Sequence, residues 1–193
     1  INNTFYRMPN ASVLENWAEQ VPPGFRFSIK ASQKITHQKR LKDAGDETAY
    51  LLKTARALGE RLGVILFQLP PYLRKDLARL EEFVKLIGDD IRAAFEFRHE
   101  TWFSDDVYDL LRAYHCALCV SETDEESDTP FAATADWGYL RLRRQHYEDG
   151  DLANWVKRIR AQNWQETFVF FKHEDEGAGP KLAAEFIALS QEG

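Results

Sequence analysis

Five polar residues sit in short runs that are otherwise rich in Val, Ile, Leu and Phe: Lys30, Gln68, Glu96, Arg98 and Arg141. In Ala94-Phe95-Glu96-Phe97-Arg98 the period-2 alternation of a strand puts both Phe on one face. That face must bury against a neighbouring layer, so Glu96 and Arg98 point the other way. The same rule turns Phe25, Phe27 and Ile29 toward the packing layer and Arg26, Ser28 and Lys30 away from it. Gln68 shares a face with Leu66, Arg141 with Tyr139, and Asn2 with Thr4 and Tyr6. Charges placed inward need partners or solvent. Several cations around one carboxylate therefore predict a polar pocket for a small ligand that is anionic or sugar-like. The competing reading is a structural ion-pair network with no ligand.

Each side chain suggests a role. Glu96 is the candidate general acid or base, its alternative being simple neutralisation of Arg98. Lys30 offers an anion contact, or a Schiff-base amine if desolvated. His99 follows Arg98 at the strand end and is a candidate proton shuttle. Arg98, Arg141, Gln68, Tyr6 and Asn2 are candidate substrate-binding residues, and Trp102 either stacks on a substrate or buries its loop. No metal or other cofactor is expected. The five His, at 37, 99, 115, 146 and 173, form no H-x-x-x-H pair. Cys116 and Cys119 have C-x-x-C spacing without a second pair and read as core thiols.

Two loops raise the question of larger anions. Lys34, His37, Lys39, Arg40 and Lys42 follow the strand that carries Lys30, and Arg143, Arg144 and His146 follow the strand of Arg141. Such a rim would suit nucleic acid, the alternative partner. The acidic loop from Glu122 to Asp128 offsets it. Gly177-Ala178-Gly179-Pro180 precedes the last helix, where barrels often hold phosphate, but Glu174, Asp175 and Glu176 stand beside it.

The elements that must position these residues alternate strand and helix. Strands are predicted at Ile1 to Phe5, Phe25 to Ala31, Val64 to Leu69, Arg92 to Arg98, Cys116 to Ser121, Gly138 to Leu142 and Thr167 to Phe171. Between them lie predicted helices: one opened by the capping box Ser12-Val13-Leu14-Glu15, one over Thr48 to Arg61 with Gly63 as C-cap, then Asp76 to Ile87, a Ser104-capped helix to Tyr114, Asp151 to Ala161 and Pro180 to Ser190. Short strands joined by helices imply an α/β fold with a parallel sheet. No Gly-rich dinucleotide fingerprint follows any strand. A (β/α)₈ barrel takes about 250 residues. With 193 residues and seven strands, the chain reads as a single TIM-like (β/α) barrel domain over 1–193 that lacks its first β/α unit. A doubly wound open sheet is the competitor.

Composition agrees with a globular protein: 44% hydrophobic, 29% charged, with 13 Phe, 5 Trp and 7 Tyr. Apolar runs are too short for a membrane span of ~20 residues. A net charge of -6 disfavours wholesale phosphate-backbone binding. Two Cys suggest a reducing, cytoplasmic setting.

Several ordered motifs resemble one family: Asn2-Asn3-Thr4-Phe5-Tyr6-Arg7, Pro22-Pro23-Gly24-Phe25-Arg26-Phe27, Lys30-Ala31-Ser32 with Ile35-Thr36-His37, Phe67-Gln68-Leu69-Pro70-Pro71, Phe95-Glu96-Phe97-Arg98-His99 with Trp102, and Thr134-Ala135-Asp136 with Tyr139-Leu140-Arg141-Leu142. They resemble the domain of unknown function 72, the YecE-like family, over essentially the whole chain. The resemblance implies a TIM-like barrel and a cytoplasmic bacterial or archaeal protein, and it carries no reaction with it. It also implies an upstream Gly-rich strand and helix, so an N-terminally incomplete chain is expected. Where the family's last strand ends in Asn-Asn and an acid, this chain has Lys172-His173-Glu174. The resulting expectation is a barrel enzyme (a hydrolase, lyase or isomerase) acting on a small polar substrate. The alternatives are a nucleic-acid-binding or phosphodiester-processing barrel and a non-catalytic interaction protein.

Overall fold

The computed structural model describes residues 1–124, 129–148, 150–171 and 177–191. The chain divides into two compact units, Ile1–Cys116 and Ala117–Gly193, and is an α/β protein built from parallel strands and helices.

In the first unit, β1 (Phe27–Lys30), β2 (Leu62–Gln68) and β3 (Ala93–Glu96) lie side by side in that order, parallel. α1 (Ala11–Glu19) precedes β1, α2 (Gly45–Ala55) and α3 (Leu77–Val84) lie between the strands, and α4 (Asp105–Ala113) follows β3. β2 is buried along six of its seven positions, the near-continuous apolar run of a strand covered on both faces. Phe67 and Phe95 are register partners and stack at 5.3 Å, and Phe83 of α3 meets both edge-on. Side-chain burial here supplies the hydrophobic stabilisation that short strands lack alone.

Local chemistry sets the helix ends. Asn10 caps α1 by accepting from the Val13 amide at 3.1 Å, and Ser12 donates to the Asn10 side chain. The cap thus lies two residues before the predicted Ser12, because Asn is as good an acceptor as Ser. Asp76 caps α3 through the Arg79 amide. Ser104 precedes α4 as predicted, but its hydroxyl goes to Asp106, and Asp105 and Asp106 in the first turn meet the positive end of the helix dipole. The second predicted helix stops early: after α2 the chain tightens into a 3₁₀ segment, Arg56–Arg61, in which Gly59 adopts φ 54°. Only glycine enters that region freely, so Gly59 makes the turn and Gly63 lies inside β2.

The predicted first strand is absent. Ile1 pairs backbone to backbone with Ser28 and Lys30, and the chain then turns into a 3₁₀ segment, Asn3–Phe5. The buried Thr4 hydroxyl lies 2.7 Å from the Lys30 carbonyl and 2.8 Å from that of Ile1, which folds the segment back onto β1. Six strands, rather than seven, are present among the described residues. β1 also begins two residues later than predicted; Arg26 is exposed and donates to the Pro23 and Phe25 carbonyls instead of pointing inward.

In the second unit, β4 (Ala117–Glu122), β5 (Trp137–Leu142) and β6 (Glu166–Phe171) are parallel in that order, with α5 (Asp151–Arg160) before β6 and α6 (Ala178–Gln191) after it. Leu140 and Leu142 pack with Trp155 and Val156 of α5 and Phe186 of α6. Tyr139 lies on the opposite face against Phe168 and Phe170 of β6, and alternation sets Arg141 beside it. Gly138 is required by packing: a Cβ there would lie 2.4 Å from the Trp164 ring. Among the described residues, no helix is long and apolar enough to cross a membrane.

Candidate functional site

Lys30, Gln68 and Glu96 are the last residues of β1, β2 and β3. Parallel pairing therefore brings them to the carboxyl ends of one sheet, with Gln68 in register with Glu96. The Leu69 amide donates to the Glu96 carbonyl at 2.9 Å and the Ala31 amide to Leu66 at 2.9 Å, so the ladder holds one residue past each strand. Glu96 is fully buried, and its Oε1 accepts from Arg98 Nε at 3.1 Å. The Arg98 side chain is 34% exposed. On the other face Phe95 packs on Phe67 and Phe83, and Phe97 stacks on Trp102 at 4.7 Å. The phenylalanines therefore take the helix-facing side and leave the ion pair on the other.

Lys30 Nζ sits 4.1 Å from the centroid of Phe5, a cation–π contact, and the edge of that ring meets His37 at 5.0 Å. His37 lies on a π-helical turn, Lys34–Gln38, with Nδ1 2.9 Å from the Thr36 hydroxyl. Burial pushes the His37 pKa below 6.5, and the Lys30 and Arg98 charges push it the same way. The cluster thus holds a neutral imidazole beside two cations and a buried carboxylate. Strand alternation passed over His37 because it follows the strand, and over Phe5 because a strand at Ile1 to Phe5 would turn Asn2, Thr4 and Tyr6 to the site face instead. The signal for His37 was position: Ile35-Thr36-His37 directly follows the strand end that carries Lys30.

The remaining predicted residues fall elsewhere. His99 caps the 3₁₀ turn Glu100–Trp102: its Nδ1 accepts from the Thr101 amide at 3.2 Å and lies 3.0 Å from the Thr101 hydroxyl. The neutral ring then carries its proton on Nε2. Trp102 is 1% exposed, with its indole N–H donated to the Leu73 carbonyl at 2.7 Å, so it seals the loop and offers no ring face to a ligand. Asn2 is exposed and Tyr6 is 71% exposed. The expected shared face of Asn2, Thr4 and Tyr6 is lost because a 3₁₀ turn repeats every three residues, not every two. Arg141 belongs to the second unit, paired in register with Ser121 and Phe170.

That unit has a polar cluster of its own at its strand ends. Glu122, the buried last residue of β4, accepts from the Tyr147 hydroxyl at 2.9 Å and the Trp155 indole at 3.1 Å and pairs with Arg144 at 3.3 Å. Burial and the Glu122 charge raise the Tyr147 pKa. Part of the basic rim expected for nucleic acid is spent internally. Lys34 and Lys39 both bind Glu47, at 2.8 and 2.7 Å, and together hold its carboxyl down to about 2. Arg144 also binds Asp151 at 2.9 Å, and Arg143 donates to Ser121 Oγ at 2.6 Å. Gly177 precedes α6 with φ 72°. The acidic residues at 174–176, the Lys172-His173-Glu174 corner and the acidic loop at 125–128 lie outside the described residues. Cys116 and Cys119 are buried free thiols, and burial pushes Cys116 up to about 12. Among the described residues, no group of three or more His, Cys, Asp or Glu is placed to hold a metal ion.

Parallel strands with polar side chains gathered at their carboxyl ends define the general class, an α/β protein of strand–helix units. The chain belongs to the family described as protein of unknown function DUF72, which matches residues 1–193. It is 25% identical over 190 residues to the UPF0759 protein YunF of Bacillus subtilis (strain 168), covering 91% of this chain and 67% of YunF. It is 30% identical over 104 residues to the UPF0759 protein YecE of Escherichia coli (strain K12), covering 53% of this chain and 38% of YecE. Crystal structures of DUF72 family proteins share the fold. One from Thermotoga maritima has a TM-score of 0.80 at 22% identity, covering 97% of this chain and 82% of that one. One from Enterococcus faecalis has a TM-score of 0.82 at 16% identity, covering 99% and 83%.

Proposed function

We propose that the first unit binds a small anionic or sugar-like molecule at the carboxyl ends of β1, β2 and β3 and acts on it by acid–base chemistry. Arg98 and Lys30 supply the positive charge, Gln68 a hydrogen-bonding amide, and Glu96 and His37 the groups that exchange protons. The observation that carries this reading is the Glu96–Arg98 pair: a fully buried carboxylate whose guanidinium partner reaches solvent. The solvent-facing part of the guanidinium can contact an anion without uncovering the carboxylate. His37 supports the reading, since an imidazole kept neutral by burial and by neighbouring cations is a base at neutral pH. A TIM-like barrel over a single domain, a cytoplasmic setting and an assignment among hydrolases, lyases or isomerases belong to the same proposal.

A thermal-shift screen of small carboxylates, phosphates and sugars at about pH 5.5 and about pH 7.5 tests it. A bound anion offsets the cations beside His37 and raises its pKa, so binding takes up a proton and tightens as pH falls. The expected hit raises Tm, raises it more at the lower pH, and disappears in Arg98→Ala relative to that variant's own unliganded Tm. Glu96→Gln then abolishes turnover while retaining binding. No shift from any of the three classes, or shifts unaffected by Arg98→Ala, overturns the proposal.

A further inference from the structure

A second concavity lies away from the strand ends. It is a cleft of about 540 Å³ formed by the chain after the Asn3–Phe5 turn, by α1 and by α2, within the size range of small-molecule sites. Trp17, Val13, Met8 and Tyr50 give it an apolar wall. Val13 and Tyr50 are exposed, Tyr50 at 53%. Arg7 is the one charged residue in the lining, which contains no Asp or Glu. Its guanidinium has no hydrogen-bond or ion-pair partner among the described residues, and the same holds for the Asn3 amide and the Tyr50 hydroxyl. Two other polar groups of the wall are already taken: Asn10 caps α1, and Thr4 bonds the Lys30 carbonyl.

A neighbouring hollow of about 400 Å³ shares Met8 and Tyr50 and contains Glu47, clamped by Lys34 and Lys39. The Arg7 guanidinium, with no carboxylate in the same lining, attracts a negative charge into the first cleft. Arg7 and the apolar wall together orient a ligand: acidic head at Arg7, flat apolar body along Met8 and Tyr50.

We infer that this cleft is a binding site for a small organic anion with a flat apolar body and a carboxylate or phosphate head, held by Arg7 as a fork and by Tyr50 as a stacking ring. Its lining excludes Lys30, His37, Glu96 and Arg98, so it stands independently of the acid–base site.

Calorimetric titration of the 193-residue chain with 1-naphthoate and with adenosine 5′-monophosphate, each against its uncharged counterpart (1-naphthalenemethanol and adenosine), tests the inference. At least one anion binds about tenfold or more tightly than its neutral partner, and the pair that does so says whether the head is carboxylate or phosphate. Arg7→Ala abolishes that preference, Tyr50→Ala weakens anion and neutral compound alike, and Lys30→Ala changes neither. Arg7 and Tyr50 are exposed, so folding is preserved in both of these variants. Absence of binding, equal binding of charged and uncharged forms, indifference to Arg7→Ala, or loss in Lys30→Ala each overturns it.

Discussion

Arg98 Nε and Glu96 Oε1 lie 3.1 Å apart, two residues along one chain, with the acid wholly buried and the base partly in solvent. The two residues between which solvent stops are thus the two ends of one ion pair. Removing the guanidinium takes the ion-pair partner away from a fully buried carboxylate. Arg98→Ala is expected to cost roughly 1–3 kcal/mol, below the range for a fully buried pair because Arg98 is partly solvated. Glu96→Gln keeps an acceptor for Arg98 and costs less. Urea denaturation at neutral pH measures both, and an equal loss in the two variants would contradict this ranking.

His37 predicts a pH dependence with a definite sign. Its folded pKa lies below 6.5, chiefly through burial and then through Lys30 and Arg98. Between the folded and unfolded values the unfolded chain binds more protons, so stability increases with pH across that window. The contribution is complete above 6.5 and is lost as pH falls through the depressed folded value. His37→Gln removes this slope. Denaturation midpoints at several pH values from about 5 to about 7.5 detect it, and an unchanged slope in the variant refutes the assignment.

Tyr147 holds the loop before α5 to Glu122, at 2.9 Å. Tyr147→Phe deletes this bond and the longer one the hydroxyl accepts from the Arg144 amide at 3.4 Å, and leaves Glu122 with Trp155 and Arg144. The expected loss is about 1 kcal/mol, measured by denaturation. Ultraviolet titration should place the phenol's ionisation above that of ordinary tyrosine, since burial and the Glu122 charge both oppose it.

Gly138→Ala drives a methyl group into the Trp164 ring, which is itself anchored by its indole N–H to the Ala135 carbonyl at 3.1 Å. A loss of roughly 1–3 kcal/mol is expected, the usual cost of overpacking. Combining it with Trp164→Leu, which removes the obstructing ring, should make the Gly138→Ala step less costly than in the parent chain. A double-mutant cycle by thermal unfolding reads the difference.

Much of the scaffold was legible in residue order. The strand–helix repeat, β2 to β6 and all six helices follow from apolar periodicity and end signals, each a property of neighbouring residues. The face shared by Glu96 and Arg98 was legible for the same reason: Phe95 and Phe97 must bury, and a strand alternates. Alternation is a rule about backbone geometry, and it ends where the strand ends. Ile1 to Phe5 looked like a strand, but the Thr4 hydroxyl bonds to Lys30, 26 residues away, and a turn forms instead. Trp102 had two uses open to it until Leu73 and Phe97 occupied its N–H and its ring. His37 gained its place beside Lys30 and Arg98 from a turn with no alternation to read. Residue order thus established which groups lie inside the strands and on which side. Folding alone chose the companions of groups on turns, because those depend on contacts between residues far apart in the chain.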